Sequence, residues 1–383
     1  MTVPVDFEVL RVIWWLFLGV LLIGFAIMDG YDLGVAMLLP YVARRDVERR
    51  VMLNAIGPFW EGNQVWLILG GGAIFAAWPP VYATSFSGFY IAMFLVLATL
   101  ILRPVGFDFR GKIDDERWRA FWDYALFAGG LVPSVVFGVA FGNLLQGVPF
   151  HIESDLRVIY EGSGLFELLN PLGLFCGVLS AAMLATHGAI YLTLKTEGTV
   201  AERARGFVTI GALLTVVLFA AGGVWVWLGI DGYAITSPVM TEGPSNPLLK
   251  TVARQPGQWL VNYAAHPWTI AAPCLGLAGP LLALLLTVLR RRGLAFIASA
   301  LGIFGIIATA GVSMFPFLMP SNVAPGASLT VWDASSSRLT LFVMLLATLL
   351  FLPIVLIYTA IVFRALRGAV SVDQVERNSS SMY

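Results

Sequence analysis

Residues 12–40 read VIWWLFLGVLLIGFAIMDGYDLGVAMLLP, and the next ten, YVARRDVERR, carry four arginines. A span needs roughly 20 apolar residues, and this run exceeds that with only Asp29 and Asp32 charged. An apolar run that stops at a basic cluster reads as a membrane span entering the cytoplasm.

The rest of the chain repeats this pattern. Of 383 residues, 58% are hydrophobic and 12% charged, against about 25% charged in a soluble domain. Such a chain cannot cover itself with polar surface, so its solvent is lipid. We expect nine spans, at roughly 12–40, 52–76, 80–102, 121–145, 165–194, 207–229, 267–289, 294–318 and 339–363. The fold class is an all-α membrane protein forming one integral-membrane domain over residues 1–383. Two four-helix bundles plus one peripheral helix are the expected arrangement. Formal net charge is zero, which leaves no basic field for nucleic acid.

Loop charges set the orientation. Arg44, Arg45, Arg49 and Arg50 follow the first span; Arg103, Arg110, Lys112, Arg117 and Arg119 follow the third. Lys195, Arg203 and Arg205 follow the fifth, Arg290, Arg291 and Arg292 the seventh, and Arg364, Arg367 and Arg377 the last. These are 18 of the 23 Lys and Arg. The others, Arg11, Arg157, Lys250, Arg254 and Arg338, fall on the opposite side. The N-terminus is therefore expected outside (periplasmic) and the C-terminus in the cytoplasm. The longest outside loop, about 230–266, reads as a folded surface loop.

Charges inside spans cost about 2.5–3.5 kcal/mol each, so each needs a reason. Asp29 and Asp32 are three apart and share a helix face. Asp32 lies about 18 Å from Arg44 by helix rise, and Glu61 about 16 Å from Arg50, so the two reach similar depth. Arg103 enters from the third span, placed to balance one carboxylate, and Gly30 is a candidate helix break beside Asp29. Asn63, Gln64 and Trp66 are candidate lining residues, although packing is the plainer account of Trp66. Two readings stand: a proton or cation path open to the cytoplasm, or an ion-paired network that fixes helix packing. Burial disfavours a charged carboxylate unless a partner compensates, a property that suits a relay.

No residue presents a self-contained catalytic centre. His151 and His266 fall in outside loops, and His187 alone lies in a span, where it reads as a packed polar residue. A bis-histidine haem cannot be built from that set. Cys176 and Cys274 have no metal-type spacing, so no metal site is expected, and no nucleotide-binding, zinc-protease or nucleophile-elbow motif is present. Trp14, Trp15, Trp78, Trp259 and Trp268 lie near span ends, where an aromatic belt is expected.

Eight strings together resemble one family: GFAIMDGYDLG (24–34), PFWEGNQVWL (58–67), GGAIFAAWPPVYA (71–83), FSGFYIAM (86–93), LRPVGFDFR (102–110), GVAFGNLLQGVPF (138–150), MFPFLMPS (314–321) and SLTVWDASSS (328–337). The chain resembles subunit II of the cytochrome bd quinol oxidases of bacterial respiratory chains, from about residue 7 to the tail. The resemblance implies a complex in the bacterial inner membrane that oxidises quinol on its outer side and reduces dioxygen to water. It implies haems b and d ligated by subunit I, the partner. It implies that this chain supports assembly of the haem d region and a proton path from the cytoplasm. Asp32 and Arg103 match the family pattern unchanged. Glu61 stands where Asp is common, one methylene longer. A structural quinone in this chain and a small single-span subunit are further members that the resemblance allows and the sequence does not place. The competing classes are a proton-coupled secondary transporter using Asp29, Asp32 and Glu61, and a purely structural partner. No inverted repeat supports the transporter.

Overall fold

A computed structural model describes residues 3–162 and 164–377. The opening run forms α1, Phe7–Val42, and its 36 residues extend about 54 Å at helix rise. Gly30 does not break it: the intrahelical ladder runs through, and every residue from Asp29 to Leu39 is buried. A helix apolar on all sides belongs inside a bundle. Around α1 pack α3 (Trp60–Ala77), α6 (Glu116–Gln146), α8 (Pro171–Lys195) and α12 (Arg292–Met314). At the α1–α8 crossing, Gly34 faces Gly188 backbone to backbone, and a Cβ at either would fall on the other helix. Small residues at such a crossing let two helices approach closely in a membrane.

The stretch 52–76 holds two helices, because α2 (Asp46–Ile56) ends before α3 begins. Gly57 and Pro58 occupy the elbow between them, and Pro58 has no N–H to continue the ladder. Next come α4 (Pro79–Gly88) and α5 (Tyr90–Phe109), separated at Phe89. A short α7 (Leu165–Leu168) precedes α8, and α9 (Gly198–Gly229) follows it. The chain continues through α10 (Val261–Ala265), α11 (Ala271–Val288), α12, α13 (Arg338–Ala365) and α14 (Val372–Arg377). Helix α12 stops at Met314, and Phe317–Met319 is a strand, so the segment 294–318 is not helical to its end.

Among the described residues, eight helices are long and apolar enough to cross a membrane: α1, α5, α6, α8, α9, α11 with the turn before it, α12 and α13. Helix α3, of 18 residues, stays outside that set; Glu61, Asn63 and Gln64 make its first two turns polar.

Three antiparallel hairpins cover one end of the bundle. They are β1–β2 (Phe150–Ile152 with Val158–Tyr160), β3–β4 (Asp231–Ile235 with Val252–Pro256) and β5–β6 (Phe317–Met319 with Leu329–Thr330). Residues 230–266 are folded, through β3–β4 and the turns after it. The belt expectation for tryptophan fails at this end. Trp14, Trp78 and Trp259 are buried, and their ring N–H groups donate to the carbonyls of Leu341, Val331 and Leu145. The acceptors lie in α13, in the turn after β6 and in the last turn of α6, so the rings pack inward; of the five tryptophans expected in the belt, Trp268 alone is widely exposed, at 78%.

Ion pairs respect the two ends. At one, Arg203 pairs with Glu48, and Arg110 with Asp123 and Asp46. At the other, Lys250 pairs with Asp333, Arg157 with Glu153 and Arg338 with Asp6. No pair among these joins a residue of one expected side to one of the other.

Candidate functional site

The acidic pair of α1 points into the bundle, with Asp29 and Asp32 both fully buried. Arg103 reaches Asp29 from α5, its Nη1 donating to Oδ2 at 3.0 Å and its Nη2 to Oδ1 at 2.9 Å. This bidentate geometry uses the planar fork of the guanidinium fully. Gly129 of α6 leaves room for the arginine stem, since a Cβ there would meet Arg103 Cγ at 3.0 Å. The Trp60 ring lies 5.8 Å from the guanidinium carbon and stacks on Phe107, with centroids 5.3 Å apart. Trp60 is therefore a packing residue whose face also meets a cation.

Asp32 has a different environment. Its Oδ2 accepts from Asn63 Nδ2 at 2.7 Å, and its Oδ1 is buried with no partner. The second Nδ2 hydrogen of Asn63 goes to Tyr31 Oη at 2.6 Å. Tyr31 stacks on Tyr191 of α8, with centroids 4.0 Å apart and an interplanar angle of 11°. Tyr191 Oη donates to the carbonyl of Ala55, in the last turn of α2, at 3.0 Å. His187 lies one turn from Tyr191. Its Nε2 donates to the Ile27 carbonyl at 3.0 Å, and its Nδ1 meets Ser299 Oγ at 2.9 Å.

Asp29, Asp32, Arg103 and Asn63 are thus brought together, and Glu61 is not. Glu61 and Asn63 are two residues apart on α3, about 200° round the helix. Asn63 is buried while Glu61 is exposed. Gln64 is half-buried and lies between them round the helix, and Trp66 packs against Gly24 of α1. Sequence reasoning missed the two tyrosines. Tyr31 sits between the two aspartates in the opening run, but a tyrosine in an apolar span gives no signal until its partner is known.

Haem does not fit the histidines. Both ring nitrogens of His187 are engaged in hydrogen bonds, and His151 Nδ1 meets Glu161 in the β1–β2 hairpin at 2.5 Å. Among the described residues no group of three or more His, Cys, Asp or Glu could hold a metal ion.

Fold and site together define an integral multi-pass membrane protein with a buried acid–guanidinium cluster between α1, α3 and α5. The model of the family "Cytochrome bd terminal oxidase subunit II" matches residues 10–366. The cytochrome bd-I ubiquinol oxidase subunit 2 of Escherichia coli is 52% identical over 379 residues, which is 99% of this chain and 100% of the relative. The probable cytochrome oxidase subunit 2 of Haemophilus influenzae is 50% identical over the same shares. The cytochrome bd ubiquinol oxidase subunit 2 of Bacillus subtilis is 34% identical over 92% of this chain and 95% of its own. The structure of bd oxidase from Geobacillus thermodenitrificans shares the fold, with a TM-score of 0.68 at 17% identity, covering 93% of this chain and 98% of that one. The chain belongs to the cytochrome bd terminal oxidase subunit II family. It is a subunit of a terminal quinol oxidase, an oxidoreductase complex in which haems work and a subunit I is its partner.

Proposed function

We propose that this chain delivers protons from the cytoplasm to oxygen chemistry carried out on subunit I, and holds the haem d region of that subunit in place. The supporting observation is Asp32: fully buried, with Oδ1 unpartnered, beside a single guanidinium already bonded twice to Asp29. One cation serves two carboxylates, so one proton balances the set. We assign Asp29–Arg103 to holding the site, and Asp32 and Glu61 to moving protons, with Asn63, Gln64 and Trp66 lining the route.

Glu61 argues for the partner's position. A charged side chain facing hydrocarbon is costly, and Glu61 is exposed on this chain alone. Subunit I, bearing haems b and d, covers that face of α3, and protons pass round its first turns by Gln64. The chain crosses the bacterial inner membrane nine times as one domain of two four-helix bundles plus a peripheral helix. Its N-terminus is periplasmic and its C-terminus cytoplasmic. The ion pairs that keep to one end or the other support the alternation, and α3 supplies the ninth crossing despite its polar start. Quinol is oxidised at the outer side of the complex, and a structural quinone, a small single-span subunit and lipid complete the assembly.

The test is oxygen consumption by the purified complex carrying Glu61→Gln and Asp32→Asn, with haem spectra as the control. We expect slowed turnover with haems retained. Wild-type turnover in the double variant would make the carboxylates structural.

A further inference from the structure

The turn between α11 and α12 carries three cations in a row, Arg290, Arg291 and Arg292. The first two are exposed and Arg292 is half-buried. Ala283 and Ala295, either side of the turn, pack in one cluster with Met52 of α2 and Val200 of α9, which sets the turn at the Glu48 end of the bundle. Other arginines at that end have carboxylate partners: Arg49, Arg110, Arg119 and Arg203 are all ion-paired. Among the described residues, none of the three in the turn has an ion pair or a side-chain hydrogen bond. The local sequence cannot supply one, since no Asp or Glu occurs from residue 243 to residue 332. Like charges therefore crowd together with nothing of the hairpin's own to offset them.

The same turn ends two apolar faces. Leu285, Val288 and Leu289 of α11 and Leu294, Ile297 and Leu301 of α12 are all exposed, and the α12 set recurs at three and four residues, so it forms one face. Both helices are long and apolar enough to cross the membrane, so the turn that joins them lies at headgroup depth. Helix α11 packs against α12 and α9, and α3 against α1, α4 and α13. The hairpin is thus not the face that Glu61 assigns to subunit I. An anion with an apolar body satisfies both halves of this surface. A phosphate diester accepts paired hydrogen bonds from guanidinium groups, and basic clusters beside a span attract anionic headgroups. Acyl chains cover the exposed leucines, which a soluble anion leaves bare.

We propose that the α11–α12 turn is a binding site for an anionic phospholipid, which supplies the counter-charge that the hairpin lacks. No residue of the α1–α3–α5 site takes part, so this stands whether or not that site moves protons.

The experiment is native mass spectrometry of the whole complex, titrated with phosphatidylglycerol or phosphatidylcholine. Three forms are compared with wild type: Arg290→Gln, Arg291→Gln and Arg292→Gln combined; the same three positions changed to Lys; and a charge-matched control with Arg44→Gln, Lys112→Gln and Arg117→Gln, exposed cations at the same end. Haem spectra report assembly in each. Wild type is expected to hold phosphatidylglycerol in preference to phosphatidylcholine. Each arginine lost from the turn is expected to weaken phosphatidylglycerol binding about fivefold. The Lys form should keep most of the binding, and the control should match wild type. If the combined Gln form does not assemble, each single Gln variant carries the same fivefold reading. Unchanged phosphatidylglycerol binding without the arginines would overturn the site. An equal loss in the control would overturn it too, because diffuse surface charge would then be the cause. Phosphatidylcholine bound as tightly as phosphatidylglycerol, or a protein chain held at the hairpin in place of lipid, would do the same.

Discussion

Arg103 and Asp29 are bonded twice, at 2.9 and 3.0 Å, across α5 and α1, while Asp32, on the same face of α1, receives nothing from that guanidinium. Three groups that meet inside the bundle thus divide into a closed ion pair and an open acid. A closed pair resists exchange of protons because each partner stabilises the charge of the other. An open acid has no such hold. The division separates what fastens the bundle from what is free to react.

Removing the arginine should therefore damage the fold more than the aspartate's removal damages it. Arg103→Leu leaves Asp29 as an uncompensated buried charge, a loss of about 3–5 kcal/mol. Combining Arg103→Leu with Asp29→Asn, which removes both charges, should recover much of that loss. Thermal unfolding of the solubilised complex measures both. A double variant no more stable than Arg103→Leu would show that the pair is not what fastens α5 to α1.

Glu61→Gln and Asp32→Asn should differ in a second respect besides turnover. Asp32 is enclosed by this chain, whereas Glu61 lies on its surface. Glu61→Gln should therefore weaken retention of the partner subunit during purification in harsh detergent, and Asp32→Asn should not. Subunit ratios after gel filtration decide it. Equal retention for the two variants would place Glu61 away from the interface.

Close packing at the α1–α8 crossing makes a third prediction. A Cβ at Gly34 would collide with the backbone of Leu184 and Gly188, whereas one at Gly19, in the same helix, meets nothing within 4 Å. Gly34→Ala should cost about 1–3 kcal/mol of overpacking, and it should disturb the Tyr31–Tyr191 stack, which sits one turn away. Gly19→Ala should leave the melting temperature unchanged or slightly raised. Equal melting temperatures for the two would mean the helices part without cost.

Much of this was legible beforehand, for physical reasons that differ by residue. Asp29, Asp32 and Arg103 stood out because a charge in a span is rare, and the three do meet. Depth could be counted from the basic loops, but azimuth could not. The Glu61 estimate assumed one straight helix from Arg50, and the elbow at Gly57 and Pro58 breaks that ruler. Nothing in the spacing told which side of α3 Glu61 faces. The tryptophans misled because a ring near a span end suits either a lipid belt or a core capped by loops. Only the carbonyls of Leu341, Val331 and Leu145, distant in sequence, distinguish the two. Tyr191 was silent for the same reason: its role depends on Ala55, which lies 136 residues away.

The cytoplasmic anchor at Glu48 gives a prediction in pH. Glu48, in the first turn of α2, is buried, and burial alone pushes its carboxyl up. That is outweighed by hydrogen bonds from Arg203, from the backbone amides of Arg44 and Arg45 and from Thr199, so the carboxyl is held well below the usual carboxylate range. An acid with a depressed folded pKa contributes stability that is complete above its unfolded pKa, about 4.3 for Glu, and is lost as pH falls towards the folded value. At pH 7 wild type should therefore be more stable than Glu48→Gln, which keeps the shape but cannot carry the charge. Below about pH 4.3 the unfolded wild-type chain takes up a proton that the folded one refuses, and the gap should narrow with each further drop. Melting temperatures of the two complexes, measured from pH 7 down to the lowest pH at which both stay soluble, test it. A gap that stays constant across that range would mean that the ionised carboxylate is not what secures α2 to α9.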